Sequence, residues 1–305
     1  MKKINRIAPL APALALVLAR AGCGGGESAG AGPVRIATKP MTEQYILGEM
    51  LGLLIEDAGY EVEITKGIGG GTSNIQPAME NGDFDLYPEY TSSGWVMVLD
   101  HEAEGVSDDE MFTQLQQEYE EKFGMTWVGL YGFNNTFTVA VRGDVAEQYG
   151  LENTSDLAAV AGELVFGGNP DYIERADGFG ALCETYGLEF ADVVDIDIGL
   201  KYQALAGGDI DVTNAFTTDA QLANPDTDLV TLADDKHLQV NYFCSTVVRE
   251  DALERFPGLE DALMKMDGLL TDREMASLNY QVEVEGLDER DAAHDFLVQK
   301  GLLEA

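Results

Sequence analysis

Two stretches of this chain repeat one pattern. Ala78-Met79-Glu80-Asn81-Gly82-Asp83-Phe84-Asp85-Leu86 leads to Tyr90, and Ala204-Leu205-Ala206-Gly207-Gly208-Asp209-Ile210-Asp211-Val212 leads to Phe216. Each reads as a helix end, a Gly-Asp turn, a short buried strand, and an aromatic at the same distance beyond the turn. One such unit constrains little, since Gly-Asp turns before strands are common. Two in one chain predict two similar α/β domains, each offering an aromatic ring at a strand end. Ligands of open α/β sheets sit beside the carboxyl ends of strands. The repeat therefore also predicts a small molecule held between two opposed rings.

The rest of the chain fits that frame. Residues 34–39 alternate like a strand, and Thr42 is placed to cap a helix whose apolar face includes Tyr45, Ile46, Met50, Leu53 and Leu54, ending at Gly59. A strand follows over 61–65, then a glycine turn, a helix near Thr72 or Ser73, and the first repeat unit. Strand–helix alternation of this kind predicts a largely parallel sheet. The spacing predicts a helix over 108–123 and strands over 126–130 and 136–141. The pattern then restarts, with a strand at 164–166, helices over 177–186 and 200–206, the second unit, and strands at 228–232 and 241–248. Thr271 with Glu274 forms a capping box opening a helix to about 282, and a last helix spans 289–300 before Gly301. The closing helices have no sheet of their own, so they are expected to return to the first domain. That places crossings near Asn135 and Asn241 and divides the body into lobe 1 (34–134 and 241–305) and lobe 2 (135–240).

The first 23 residues stand apart. Lys2, Lys3 and Arg6 precede an apolar run over 7–19, too short for a membrane span of roughly 20 residues and laid out like an export signal. Arg20-Ala21-Gly22-Cys23 resembles a bacterial lipoprotein box with Arg20 in the usual aliphatic place, which would make Cys23 the lipidated first residue. Ala19-Arg20-Ala21 also fits an A-x-A cleavage site that would release a free protein. The lipoprotein reading is favoured, because residues 24–33 form a Gly-rich tether that lets a soluble body stand off a membrane. The chain carries 55 acidic and 18 basic residues, a formal charge of −37. All the acidic residues follow Cys23, so the body is more acidic still. Such a surface excludes nucleic acid as a partner, since phosphate binding needs a basic face. Cys183 and Cys244 could pair in an oxidising compartment or stand as two buried thiols.

Several chemistries drop out. The turn Gly67-Ile68-Gly69-Gly70-Gly71 lacks a following Gly-Lys-Ser/Thr, and a dinucleotide fingerprint would need glycine at Thr72. His101, His237 and His294 are scattered, without ligand spacing for zinc or a triad. Asp195 and Asp197 begin a calcium-like alternation that Gly199 interrupts too early, so they read as a turn. Asp83 and Asp85 recur as Asp209 and Asp211, which assigns them to the turn and strand rather than to catalysis. No cofactor is expected.

What remains is aromatic. Tyr90, Phe137, Phe216 and Tyr242 each lie at a strand end, a repeat end or a crossing. Such rings are usually core. Converging on one cleft, four π-faces would instead suit a cation that cannot donate hydrogen bonds, namely a quaternary ammonium. Each desolvated face contributes roughly 0.5–2 kcal/mol, while a micromolar complex needs about 8 kcal/mol. A second anchor is needed, and Lys39 and Arg175 are candidates to grip a carboxylate.

Beyond these residues the chain resembles a known family. Lys39-Pro40-Met41-Thr42-Glu43-Gln44, followed by Ile46-Leu47-Gly48-Glu49-Met50, is similar to the opening of osmoprotectant-binding proteins of ABC importers, the glycine betaine/choline group. The similarity continues through Gly70-Gly71-Thr72, Asp85-Leu86-Tyr87-Pro88-Glu89-Tyr90-Thr91, Gly132-Phe133-Asn134-Asn135-Thr136, Arg175-Ala176-Asp177-Gly178, Gly199-Leu200-Lys201-Tyr202, Thr218-Asp219, Val247-Val248-Arg249 and Leu278-Asn279-Tyr280-Gln281-Val282. The resemblance implies a two-lobed, periplasmic-binding-protein-like (type II) α/β fold, a Venus flytrap, with no enzymatic activity. It implies a monomer outside the cytoplasm, anchored to the membrane by lipid, that delivers its ligand to a permease and an ATPase. Carried over by position, the cage is Tyr90, Phe137, Phe216 and Tyr242, and the carboxylate contacts are Lys39, Ser93 and Arg175. Relatives commonly have tyrosine at Phe137 and Phe216 and threonine at Ser93, so the rings here keep their faces but lose hydroxyls. Lys39 and Arg175 suit a zwitterion such as glycine betaine better than choline. Choline, carnitine or an amino acid as ligand, and an exported two-domain enzyme, are the alternatives. The enzyme would need a nucleophile–base pair or a metal set that the sequence lacks.

Overall fold

The computed structural model describes residues 32–102, 105–175, 178–197 and 200–304. The export signal, Cys23 and the tether up to residue 31 lie outside the described residues, as do Asp177 and Gly199. Among the described residues ten strands form two five-stranded sheets. The first contains β1 (Val34–Ala37), β2 (Val62–Thr65), β3 (Leu86–Tyr90), β4 (Met125–Asn134) and β10 (Phe243–Arg249), in the order β2-β1-β3-β10-β4. The second contains β5 (Phe137–Arg142), β6 (Val165–Gly168), β7 (Asp192–Asp195), β8 (Val212–Phe216) and β9 (Leu229–Leu232), in the order β7-β6-β8-β5-β9. The chain passes to the second sheet between Asn134 and Phe137 and returns between Leu232 and Phe243.

Both sheets are mixed, which corrects the largely parallel expectation. β1 pairs in parallel with β2 and β3, and β6 with β7 and β8. The strands that enter from the other lobe run the opposite way: β10 is antiparallel to β3 and β4, and β5 to β8 and β9. The alternation within each βαβ run predicts only the parallel half. The direction of a strand arriving from elsewhere is set by where the crossing begins.

Each sheet separates apolar clusters. In the first lobe one face carries Ile46, Leu47, Met50 and Leu54 of helix Thr42–Asp57 against Leu278, Ala293 and Leu297 of the closing helices. The other face carries Trp95, Leu115, Tyr119 and Trp127. The closing helices therefore pack on the first sheet. In the second lobe Val139, Val141, Phe166, Leu182 and Val212 form the larger cluster.

The repeat units have the geometry their sequence requires. Gly82 and Gly208 both adopt φ +78°, a left-handed turn that glycine enters without steric cost. Asp85 and Asp211 then receive backbone N–H bonds from the neighbouring strand, from Arg35 and Val165, each at 2.9 Å. These aspartates serve the turn and strand.

Other differences have local causes. Helix Thr42–Asp57 takes Met41 rather than Thr42 as its N-cap, without a side-chain cap bond, because Tyr45 N already donates to Met41 O. Asp195 belongs to β7, not to a turn. β7 is an edge strand exposed on most residues, so it lacks the apolar alternation that reveals a strand. The capping box at Thr271 and Glu274 and the helix Asp108–Phe123 match the sequence reading. Cys183 and Cys244 are free thiols in different lobes.

Candidate functional site

The two crossing segments lie side by side and are stitched together. Asn135 N donates to Tyr242 O at 3.2 Å, Tyr242 N to Asn134 Oδ1 at 2.7 Å, and Thr136 Oγ1 to Val240 O at 2.7 Å. Thr217, directly after Phe216, donates its hydroxyl to Asn134 O. These bonds bring the ends of β4, β5, β8 and β10 to one place, and β3 ends there too, with Tyr90 paired to Cys244 of β10.

A cavity of about 260 Å³ opens there, lined by Lys39, Met41, Tyr90, Ser93, Asn135, Thr136, Phe137, Arg175, Phe216 and Tyr242. All seven ligand-binding residues expected from the sequence line it. Met41, Asn135 and Thr136 are additions, and all three fall inside the stretches that carried the family resemblance. A second cavity of about 180 Å³ shares Met41, Asn135 and Phe216 and adds Glu43, Thr218, Asp219 and Asn279 among others.

Tyr90 is the last residue of β3, a strand buried along its whole length between β1 and β10. Its hydroxyl donates to the Glu43 carboxylate. Burial and the neighbouring Glu43 charge push the phenol's pKa well above its ordinary value, so it remains a donor. Lys39 Nζ lies 4.7 Å from the Tyr90 ring centroid and pairs with Glu89, a carboxylate with no solvent exposure. Glu89 also accepts from Thr72 Oγ1 and from Tyr90 N, each at 2.7 Å. Thr72 is set by the glycine turn, where Gly71 at φ +52° and ψ −128° starts the helix under the Lys39 side chain. The first-lobe wall is thus charged but balanced.

The second-lobe wall is a pair of stacked rings with one cation, Arg175, beside them. Phe137 opens β5 and Phe216 ends β8, opposite each other in register. Their rings stack at 4.5 Å between centroids and 25° between planes. Phe137 also meets Tyr172 at 5.2 Å, and the Arg175 guanidinium carbon sits 5.1 Å from the Phe137 centroid. Tyr242 is 37% exposed and forms the rim. Ser93 ends a short helix over Thr91–Ser93, where the next turn widens to a π-helix over Gly94–Val98.

Glu43 and Glu89 are the residues that sequence reasoning missed. Both lie within stretches quoted for their resemblance, but a buried carboxylate has no periodicity that marks it. Glu43 is 3% exposed, accepts from Asn135 Nδ2 at 3.0 Å, and has its pKa raised by burial against the pull of its donors. Among the described residues no group of His, Cys, Asp or Glu could hold a metal ion.

The arrangement is a small, aromatic, charge-lined chamber without a nucleophile–base pair on its wall. A family described as the substrate binding domain of ABC-type glycine betaine transport systems matches residues 32–299. The ergothioneine transport permease/ergothioneine binding protein EgtU of Helicobacter pylori (strain G27) is 41% identical over 270 residues, covering 88% of this chain and 48% of that protein. This chain thus spans about half the length of that relative. The carnitine transport binding protein OpuCC of Listeria monocytogenes serotype 1/2a (strain 10403S) is 34% identical over 275 residues, covering 89% of this chain and 88% of that one. A crystal structure of a glycine betaine/carnitine/choline ABC transporter protein superposes with a TM-score of 0.82 at 30% identity, over 89% of this chain and 100% of the other.

Proposed function

Because the chain belongs to the family of substrate binding domains of ABC-type glycine betaine transport systems, we propose that it captures a betaine, a trimethylammonium carboxylate, and delivers it to a membrane permease driven by a separate ATPase. The lobes that close on the ligand are residues 34–134 with 241–305, and residues 135–240. The observation that carries this reading is the meeting of Tyr90, Phe137, Phe216 and Tyr242 at one cavity with Arg175 on its wall. A quaternary ammonium has no hydrogen to donate, so π-faces recognise it where carbonyls would not. The guanidinium of Arg175 forks onto the carboxylate. Lys39, already balanced by Glu89, contributes its remaining donor capacity beside Ser93. Rings from both lobes complete the cage only when the lobes approach, so the ligand shifts the population toward the closed form.

Glycine betaine, carnitine and ergothioneine each carry both groups, and relatives are named for all three. Choline carries only the ammonium. Titration calorimetry on the body without its export signal, against these four compounds, tests the reading. A betaine carboxylate binding about tenfold or more tighter than choline is the expected result, since a charge-assisted hydrogen bond contributes roughly 1.5–3 kcal/mol. Absence of heat with every betaine removes the reading.

The binding body works outside the cytoplasm, as a monomer tethered through a lipid on Cys23. Intact mass of protein extracted from membranes distinguishes a lipidated Cys23 from a chain cut after Ala21.

A further inference from the structure

Glu43 is the second residue of helix Thr42–Asp57 and lies behind the cage. Its carboxylate is surrounded by donors from four elements: the Tyr90 hydroxyl and Asn135 Nδ2 on Oε1, Asn279 Nδ2 3.5 Å from Oε2, and the Thr218 hydroxyl. The two amide nitrogens can only donate, and the two hydroxyls donate toward an ionised Glu43, so the shell as a whole suits a carboxylate. A carboxylic acid would have to aim its own proton at one of them.

Among the described residues the wall of the cage holds two cations, Lys39 and Arg175, and no acidic side chain. Lys39 is matched by Glu89, and a ligand carboxylate takes Arg175. The ligand's ammonium then needs its own counter-charge close to a ring that Lys39 already approaches to 4.7 Å. Glu43 is the carboxylate in contact with that ring's hydroxyl. A phenol donating to a carboxylate is polarised, because hydrogen bonds in series strengthen one another, and its π-face becomes more negative. Phe216 supplies the internal contrast. It has no hydroxyl, and the carboxylate nearest its backbone, Asp219, is engaged by Lys201 Nζ at 3.3 Å and by Tyr202.

We propose that Glu43 is the positioning residue that gives this site its preference for positive charge: acting through the Tyr90 hydroxyl, it seats the ligand's quaternary ammonium against Tyr90 without touching it. The inference rests on the betaine reading above and deepens it. It places the ammonium on the first-lobe ring and leaves the Phe137–Phe216 stack to cover the methyl groups.

Two probes of one shape test it: glycine betaine, and 3,3-dimethylbutanoate, in which carbon replaces nitrogen and the cation is lost. Both are titrated calorimetrically into the wild-type body, Glu43→Gln, Tyr90→Phe and the double variant. In Glu43→Gln the dissociation constant for glycine betaine is expected to rise about tenfold, the difference between an enriched and an ordinary cation–π face. That for 3,3-dimethylbutanoate should stay within about threefold, and the double variant should add little to either single one, as coupled residues do. Equal weakening of both probes makes Glu43 a structural residue and overturns the inference alone. Failure of wild type to bind glycine betaine, carnitine or ergothioneine overturns the betaine reading, and this inference with it. If Glu43→Gln does not fold, Tyr90→Phe cuts the same relay from the ring side, and unchanged preference for glycine betaine over its neutral isostere there is equally fatal.

Discussion

The two lobes follow one chain path and finish it with different chemistry. Their sheet orders correspond strand for strand, β2-β1-β3-β10-β4 against β7-β6-β8-β5-β9. Asp85 and Asp211 occupy matching turns, and the strand arriving from the other lobe bonds each of them through Arg249 N at 3.0 Å or Arg142 N at 3.2 Å. Beyond the turn the resemblance ends. Asp85 is fully buried and held by two guanidinium groups, Arg35 and Arg255. Asp211 has a side chain 19% exposed, with Arg142 at 3.3 Å. At the cavity, the first lobe presents Tyr90 and Lys39, each backed by a buried carboxylate, while the second presents two stacked phenylalanines with the Arg175 guanidinium against one of them. The backbone constraint is shared because a turn into a buried strand has few solutions. Side chains at the strand ends face the cleft, where no such constraint applies, and there the two walls diverge.

The largest test of that contrast concerns the two cavity cations. Lys39→Met leaves Glu89 buried without a cation, and breaking such a pair costs about 3–5 kcal/mol of folding stability. Arg175→Ala, which removes an exposed side chain packed on Phe137, should cost less stability than Lys39→Met, yet weaken betaine binding about tenfold or more. Urea unfolding and calorimetry measure both. Equal stability losses would show the walls to be alike.

Next comes the repeat itself. Asp85→Asn should destabilise by about 3 kcal/mol and Asp211→Asn by about 1 kcal/mol, because only the first strands two guanidinium groups around a neutral amide. Burial pushes the Asp85 carboxyl up, but the hydrogen bonds it accepts from Arg35 and Arg255 together outweigh that and hold its pKa below 3.8. Its contribution is therefore complete above pH 3.8 and lost as the pH falls through the lower folded value. Acid unfolding of wild type should steepen in that window, and Asp85→Asn should remove the extra slope.

Phe216→Ala is expected to weaken glycine betaine binding by roughly tenfold, the loss of one desolvated face worth about 1–2 kcal/mol. An unchanged dissociation constant would take Phe216 out of the proposed cage. The smallest change is Phe216→Tyr. Asp219, which lines a cavity with Phe216, is already engaged by Lys201 and Tyr202, so the added hydroxyl should alter the dissociation constant less than threefold, within about 0.6 kcal/mol.

Much of this was legible in the chain. The Gly-Asp units marked two turns, alternation marked the strands, and the helix over 108–123 announced itself through its spacing. The aromatic positions could be named because strand ends and crossings are where rings from distant segments meet. The edge strand β7 was not legible, since neither of its faces is fully buried. The antiparallel strands were not legible either. Periodicity records which face of a strand is buried and carries nothing about direction.

The amino-acid sequence by itself determined the two-domain α/β plan, the turns, and the residue types available for a cage. Those follow from local sterics and from burial periodicity, which act over a few residues. Only the tertiary structure decided how charge is distributed at the cavity. Lys39 reads in sequence as an open anchor for an anion, and in the fold Glu89 already matches it. Glu43 reads as a helix-start residue, and in the fold it becomes the carboxylate behind Tyr90. Electrostatic pairing acts across space between groups far apart in the chain, and its strength depends on burial, so it exists only once the lobes are assembled.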